Sequence, residues 1–123
     1  MKENAVFDQV SEPLSSYYST NEGFKLLLEK RTELLDLCHK HQIEKLYVFG
    51  SALGNTFSEN SDFDFLIRFK NIPFDQYTDH YFELHEDLER LLGRKIDLLT
   101  ENSLGNKFFK EKILSSRLLL YAA

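Results

Sequence analysis

The sequence has little cysteine and no long apolar run. Its single cysteine, Cys38, excludes a disulfide within the chain. No stretch approaches the roughly 18 apolar residues that a membrane-spanning helix needs. The residues after Met1 lead into mixed polar sequence without an apolar secretory segment. We therefore expect a protein of the reducing cytoplasm that does not enter a membrane.

Positive charge is also scarce. Fifteen Lys and Arg stand against 20 Asp and Glu, which gives a formal net charge of −5. That balance argues against broad, sequence-independent binding to the phosphates of DNA or RNA. Any contact with nucleic acid would have to use a local site or a partner.

What is present fits one globular domain. The chain has 123 residues, of which 42% are hydrophobic, and its eleven Phe and six Tyr supply bulk for a core. Residues 1–20 are polar and irregular, so we expect an N-terminal extension there and a single domain over residues 21–123.

Periodicity predicts alternating helices and strands. Asn21 is a candidate N-cap for the first helix, and Gly93 is the expected C-terminal stop of the second. The predicted segments are a helix over 21–41, strands over 46–49 and 62–69, a helix ending at 92, a strand over 96–99, a helix over 102–116, and a strand or packed tail over 118–121. This order favours an α/β (α+β) fold with a mixed sheet flanked by helices.

The segment from Asp62 to Phe69 alternates with a period of two, which is typical of a strand. Asp62 and Asp64 would lie on one face, while Phe63 points to the other and anchors the strand in the core. Packing explains the phenylalanines but gives no reason for paired acids. Because like charges repel, a shared divalent cation is the expected compensation.

Two further features extend this interpretation. Asp97 lies in another short apolar strand, and three carboxylates would converge on Mg²⁺ if that strand pairs with the one that carries Asp62 and Asp64. Gly50 and Ser51 follow the strand that ends at Phe49. Glycine permits close backbone approach, the amides of a helix start attract phosphate, and a serine hydroxyl can donate to it.

These motifs resemble the minimal nucleotidyltransferase (MNT) domain of the DNA polymerase beta-type superfamily. The resemblance rests on Leu46–Ser51, on Asp62 and Asp64 after ten intervening residues, and on Asp97. It covers roughly residues 43–100 well and the C-terminal helix loosely. One departure is that Leu53, Gly54 and Asn55 replace an Ala-Arg-Gly step that many members carry, which leaves phosphate neutralisation to metals, backbone or a partner.

The resemblance implies a magnesium- and ATP-dependent enzyme. Gly50 and Ser51 would hold the triphosphate, while Asp62, Asp64 and Asp97 would bind two Mg²⁺ ions and carry the catalysis. Small stand-alone members resemble antitoxins that lie beside a helical HEPN toxin and adenylylate one of its tyrosines. A HEPN-type protein is therefore the expected partner, in a homo- or hetero-oligomer.

Several alternatives stay open at this point. The chain could be a catalytically silent module that masks a partner, or it could modify a small molecule such as an antibiotic. Asp62 and Asp64 could be solvated residues of an edge strand, and Asp97 could be a surface acid beside Arg94 or Lys95.

Other residues have ordinary structural explanations. We expect Arg68 to form an ion pair, Cys38 to be a small core residue, and all four histidines to lie at the surface or half-buried. His39 and His41 are two apart on the predicted helix and would point in different directions. The Phe108–Phe109 pair is expected to be buried by its helix.

Overall fold

The computed structural model of the protein describes residues 4–9, 22–54, 57–105 and 107–123. The predicted N-cap at Asn21, the segment 10–20 and Asn55 lie outside the described residues, as do the side chains of Phe108 and Phe109. Within the described ranges, no helix has the length and apolar content needed to cross a bilayer.

Four strands and five α-helices make up the described chain, with two short 3₁₀ helices at Gly50–Leu53 and Glu101–Ser103. The helices and strands are, in chain order, α1 Val6–Gln9, α2 Glu22–Glu29, α3 Arg31–Lys40, β1 Ile43–Phe49, β2 Phe63–Phe69, α4 Phe74–Leu92, β3 Ile96–Thr100, α5 Lys107–Ser116 and β4 Leu118–Ala122.

The four strands form one mixed sheet in the order β3-β2-β1-β4. β1 pairs antiparallel with both β2 and β4, while β2 and β3 run parallel. A parallel pair needs a crossover connection, and α4 supplies it between β2 and β3. The predicted mixed sheet with flanking helices is confirmed.

The alternation of β2 follows the prediction. Phe63, Phe65 and Ile67 are fully buried in the larger part of the core, together with side chains of α2, α3 and α4. On the opposite face Leu66 is also buried, in a smaller cluster with Tyr47 of β1 and residues of α5 and β4. The centre of the sheet is thus covered on both sides, and the polar positions of β2 lie towards its ends.

Element boundaries differ from the expectation in several places. Residues 1–20 were expected to be irregular, but Val6–Gln9 forms α1, and its Phe7 is buried in the core. The single helix predicted over 21–41 is two helices, because Lys30 leaves helical geometry (φ −100°, ψ 15°) between α2 and α3. β1 begins at Ile43 rather than at Leu46. The last helix begins at Lys107, since the residues after β3 form a 3₁₀ turn in which Thr100 and Ser103 cap each other.

Other expectations are confirmed. Gly93 ends α4 in the left-handed conformation, with φ +66°. Leu118–Ala122 is a strand. Cys38 is buried, and burial raises the pKa of its thiol to about 12, as suits an inert core residue rather than a nucleophile.

Candidate active site

β1 ends at a glycine whose position no other residue fits well. Gly50 has a φ of +75°, a region that L side chains rarely adopt. A Cβ atom there would overlap the Oδ2 atom of Asp64, because Phe49 is paired with Asp64 across the sheet. The chain therefore turns into the first 3₁₀ helix directly against an acidic side chain of β2.

Two contacts hold this turn in place. Ala52 is fully buried, and α2 approaches it so closely that a Cβ atom on Gly23 would lie 2.8 Å from the Ala52 carbonyl oxygen. Ser51 is half-buried, and its Oγ donates to the carbonyl oxygen of Asp62 at 3.4 Å. The turn predicted to bind phosphate is thus tied to the start of β2.

Asp64 and Asp97 are direct partners in the parallel pairing of β2 with β3, so their carboxyl groups lie next to each other. Partial burial, then the charge of Asp97 and the hydrogen bond with it, and lastly the charge of Asp62 raise the pKa of Asp64 to about 6. Two adjacent carboxylates repel each other unless one of them holds a proton or a cation lies between them. This donor set fits a divalent cation, which would take the place of that proton.

Asp62 lies just before β2, half-buried, and is the more distant of the three acids. Among the described residues, the ligand atoms of His41, His80 and Glu83 all lie within 4.8 Å of one another, and the three aspartates do not meet this limit. The charge of Asp62 is the last of the causes that raise the pKa of Asp64, which indicates that Asp62 is the farther neighbour. The structure thus brings Asp64 and Asp97 together, and Asp62 lies farther away.

Arg94 holds the loop that leads into these acids, a role that the sequence reasoning missed. Its Nη1 donates to the carbonyl oxygens of Ser58 at 2.9 Å and Ser61 at 3.1 Å. Its guanidinium also stacks over the rings of Phe57 and Phe63, with centroid distances of 4.6 and 5.3 Å. No local pattern reveals a contact between segments more than 30 residues apart.

An apolar cavity lies between α4 and the edge strand β3. It has a volume of about 460 Å³ and lies between Tyr77, Tyr81 and Phe82 of α4 and residues 98–100 of β3. The hydroxyl of Tyr81 donates to the carbonyl oxygen of Leu98. Burial, then Tyr77 and the charge of Asp97, raise the pKa of Tyr81.

Two further expectations can be compared with the structure. Arg68 forms the expected ion pairs, with Glu101 at 2.7 Å and with Glu44 at 3.4 Å. The expectation for His41 is wrong, because its side chain is completely buried. His41 follows the end of α3 instead of lying on it, and Gln42 with φ +55° turns the chain towards β1.

The mixed four-stranded sheet with flanking helices is the fold of a minimal nucleotidyltransferase. The chain belongs to the family described as "Polymerase beta, Nucleotidyltransferase", whose sequence model matches residues 32–123. This range contains all four strands and the five residues predicted to bind nucleotide and metal.

Relatives and solved structures agree with that assignment. A Methanocaldococcus jannaschii protein named "Putative protein adenylyltransferase" is 33% identical over 89 residues, which cover 72% of this chain and 86% of that protein. A solved "putative minimal nucleotidyltransferase" matches with a TM-score of 0.62 at 29% identity, over 75% of this chain and 90% of that one.

A toxin–antitoxin complex shares the fold. A chain in the structure of tri-AMPylated Shewanella oneidensis HEPN toxin in complex with MNT antitoxin matches with a TM-score of 0.55. The match has 16% identity and covers 77% of this chain and 71% of that one.

Proposed function

We propose that this chain is a magnesium-dependent adenylyltransferase that moves AMP from ATP to a hydroxyl group of a protein partner in the cytoplasm. The observation that supports this most is the adjacent pair Asp64 and Asp97 beside the left-handed Gly50. The nucleotidyltransferase domain would be residues 21–123, with residues 1–20 as an extension.

In this mechanism each acid has its own task. Asp62 and Asp64 would hold both Mg²⁺ ions, and Asp97 would hold the one nearest the attacking hydroxyl and help to accept its proton. When bound, the ions supply positive charge that activates the hydroxyl and stabilises the pyrophosphate leaving group. Gly50 and Ser51 would hold the triphosphate through the amides and the hydroxyl of the turn.

The acceptor we propose is a tyrosine of a helical HEPN-type toxin, which makes this chain its antitoxin. The similar archaeal protein is named a protein adenylyltransferase, and the similar complex holds an AMPylated HEPN toxin. Asp97 is exposed on the edge strand β3. A partner's aromatic side chain could therefore reach the acids from outside the sheet.

Co-expression with a HEPN-type protein encoded beside this chain, followed by intact-mass measurement, tests the proposal. We expect one or more adenylate additions on the partner, located on tyrosine by fragmentation. Asp97→Asn should abolish the additions, whereas His39→Gln, an exposed change remote from the acids, should not. An unmodified partner, or equal modification by Asp97→Asn, would overturn the proposal.

A second candidate is a catalytically silent module that masks its partner. The replacement of the usual arginine step by Leu53, Gly54 and Asn55 favours it, because the turn then lacks a side-chain cation for the triphosphate. In that case Asp97→Asn would still neutralise the toxicity of a co-expressed partner. If neutralisation requires transfer, the same variant will leave the partner toxic.

A further inference from the structure

His41 occupies a buried position between the end of α3 and the middle of α4. Its side chain is 0% exposed, and its Nδ1 lies 3.2 Å from the Nδ1 of His80 on α4. The two rings are nearly perpendicular, at 86°, so their edges meet. Two ring nitrogens thus point at one small volume.

Glu83 completes a group of three. It lies three residues after His80 on α4, and residues at this spacing share a helix face. One ligand atom from each of His41, His80 and Glu83 lies within 4.8 Å of the other two. Imidazole nitrogen and carboxylate oxygen are the donors that Zn²⁺ takes in proteins, alongside thiolate.

The spacing of the nitrogens fits a tetrahedral ion. With Zn–N bonds of about 2.0–2.1 Å, two ligands at the tetrahedral angle stand about 3.3 Å apart. The two Nδ1 atoms are 3.2 Å apart. Because Glu83 is exposed, its carboxylate can turn towards the histidines without disturbing the core.

Asp87 contacts the ring nitrogen of His41 that does not face His80. Its Oδ2 lies 2.7 Å from the Nε2 of His41 and 3.0 Å from the Nζ of Lys40. A carboxylate at this distance holds the proton of a neutral imidazole on Nε2, which leaves the lone pair of Nδ1 free towards His80. Histidines that bind metal commonly donate their other N–H to a carboxylate in this way.

The group is also accessible from solvent. A cavity of about 210 Å³, lined by Gln76, Asp79, His80 and Glu83, opens on its outer side. A single ion with a water molecule as fourth ligand fits such a space, since one water takes about 30 Å³. The open side would let the ion exchange with solvent.

We propose that His41, His80 and Glu83 form a Zn²⁺ site that joins the end of α3 to α4. It lies near the end of β1 opposite Gly50, roughly 20 Å away for a strand of seven residues. Binding there links two helices by way of one ion and is separate from the nucleotide site.

Zinc titration of the metal-free full chain in millimolar Mg²⁺, by calorimetry and thermal unfolding, tests the proposal. We expect one Zn²⁺ per chain and a rise in Tm. His80→Gln and Glu83→Gln should each weaken binding at least about tenfold and lose the rise in Tm. His39→Gln removes an exposed histidine two residues from His41 and should leave both unchanged.

The two single-site variants avoid the fully buried His41, whose replacement would disturb folding. No zinc binding, or equal binding by the parent, His80→Gln and Glu83→Gln, would overturn the proposal. Binding that survives in these two variants and disappears in Asp64→Asn would also overturn it, because the ion would then lie among the aspartates. If the two rings are joined only by a hydrogen bond, no zinc binding will be observed.

Discussion

The two ends of the paired strands β1 and β2 use titratable side chains in opposite ways. At the Phe49–Asp64 end, Asp64 and Asp97 lie next to each other and repel when both are charged. At the Ile43–Phe69 end, the nearby His41 is fully buried, and both of its ring nitrogens have partners. Without a cation, the like charges at the first end repel each other. At the second end, the ring nitrogens of His41 have partners whether or not a cation is bound. Neighbouring like charges without a partner are therefore the better guide to a candidate active site.

The largest effect that separates the two ends is on catalysis. Asp64→Asn should lower AMP transfer by more than about 100-fold, since loss of even an indirect metal partner costs about 10–100-fold. Circular dichroism should show a folded chain. His39→Gln, near the histidine end, should keep the parent rate. If Asp64→Asn transfers AMP at a rate within tenfold of the parent, the aspartate end is not the one that transfer depends on.

The two left-handed glycines offer a matched pair. Gly50 and Gly93 have φ values of +75° and +66°, but a Cβ atom meets Asp64 at the first and nothing within 4 Å at the second. Gly93→Ala should cost about 1–2 kcal/mol of unfolding free energy and leave transfer intact. Gly50→Ala should cost more and reduce transfer about tenfold or more, as Asp64 is displaced. Denaturant melts and transfer rates measure both, and equal behaviour of the two variants would argue against a role for this contact.

Substitutions of Arg94 and Arg90 should differ by a smaller effect. Arg94→Gln loses two hydrogen bonds to the loop before Asp62 and should cost about 1.5 kcal/mol of stability. It should also raise the Mg²⁺ concentration needed for half-maximal transfer. Arg90 is exposed and pairs with Asp87 at 3.4 Å, so Arg90→Gln should change stability by less than about 1 kcal/mol and leave that concentration unchanged. Titration of transfer activity with Mg²⁺ in both variants measures this effect. An unchanged Mg²⁺ requirement in Arg94→Gln would show that the loop does not position Asp62.

The smallest expected effect is on the pH dependence of metal-free stability. Because the folded-state pKa of Asp64 is raised to about 6, the folded chain holds this proton more tightly than the unfolded chain does. Stability from this group is therefore full below about pH 4 and is lost as pH rises through 6. In EDTA, Asp64→Asn should have a higher Tm than the parent at pH 7 and a similar Tm at pH 4. A lower Tm for Asp64→Asn at pH 7 would contradict the assigned charge repulsion.

Local patterns predicted much of the fold and part of the site. The alternation from Asp62 to Phe69 identified β2, and Gly93 marked the end of α4, because both effects act over a few neighbouring residues. The contact of Asp97 with Asp64 depends on strand pairing, and its prediction came from the spacing of the motifs and the family resemblance. The break at Lys30, the burial of His41 and the tether of Arg94 depend on contacts between segments 33 or more residues apart or on packing, which no local periodicity records.

Calorimetric titration with a non-hydrolysable ATP analogue tests the central claim most directly, since it needs no partner. Binding to the parent chain should require Mg²⁺, and Asp64→Asn and Asp97→Asn should both abolish it. His39→Gln should bind as the parent does. Binding that is equally strong in EDTA, or that persists unchanged in Asp97→Asn, would contradict a nucleotide site built on the three aspartates.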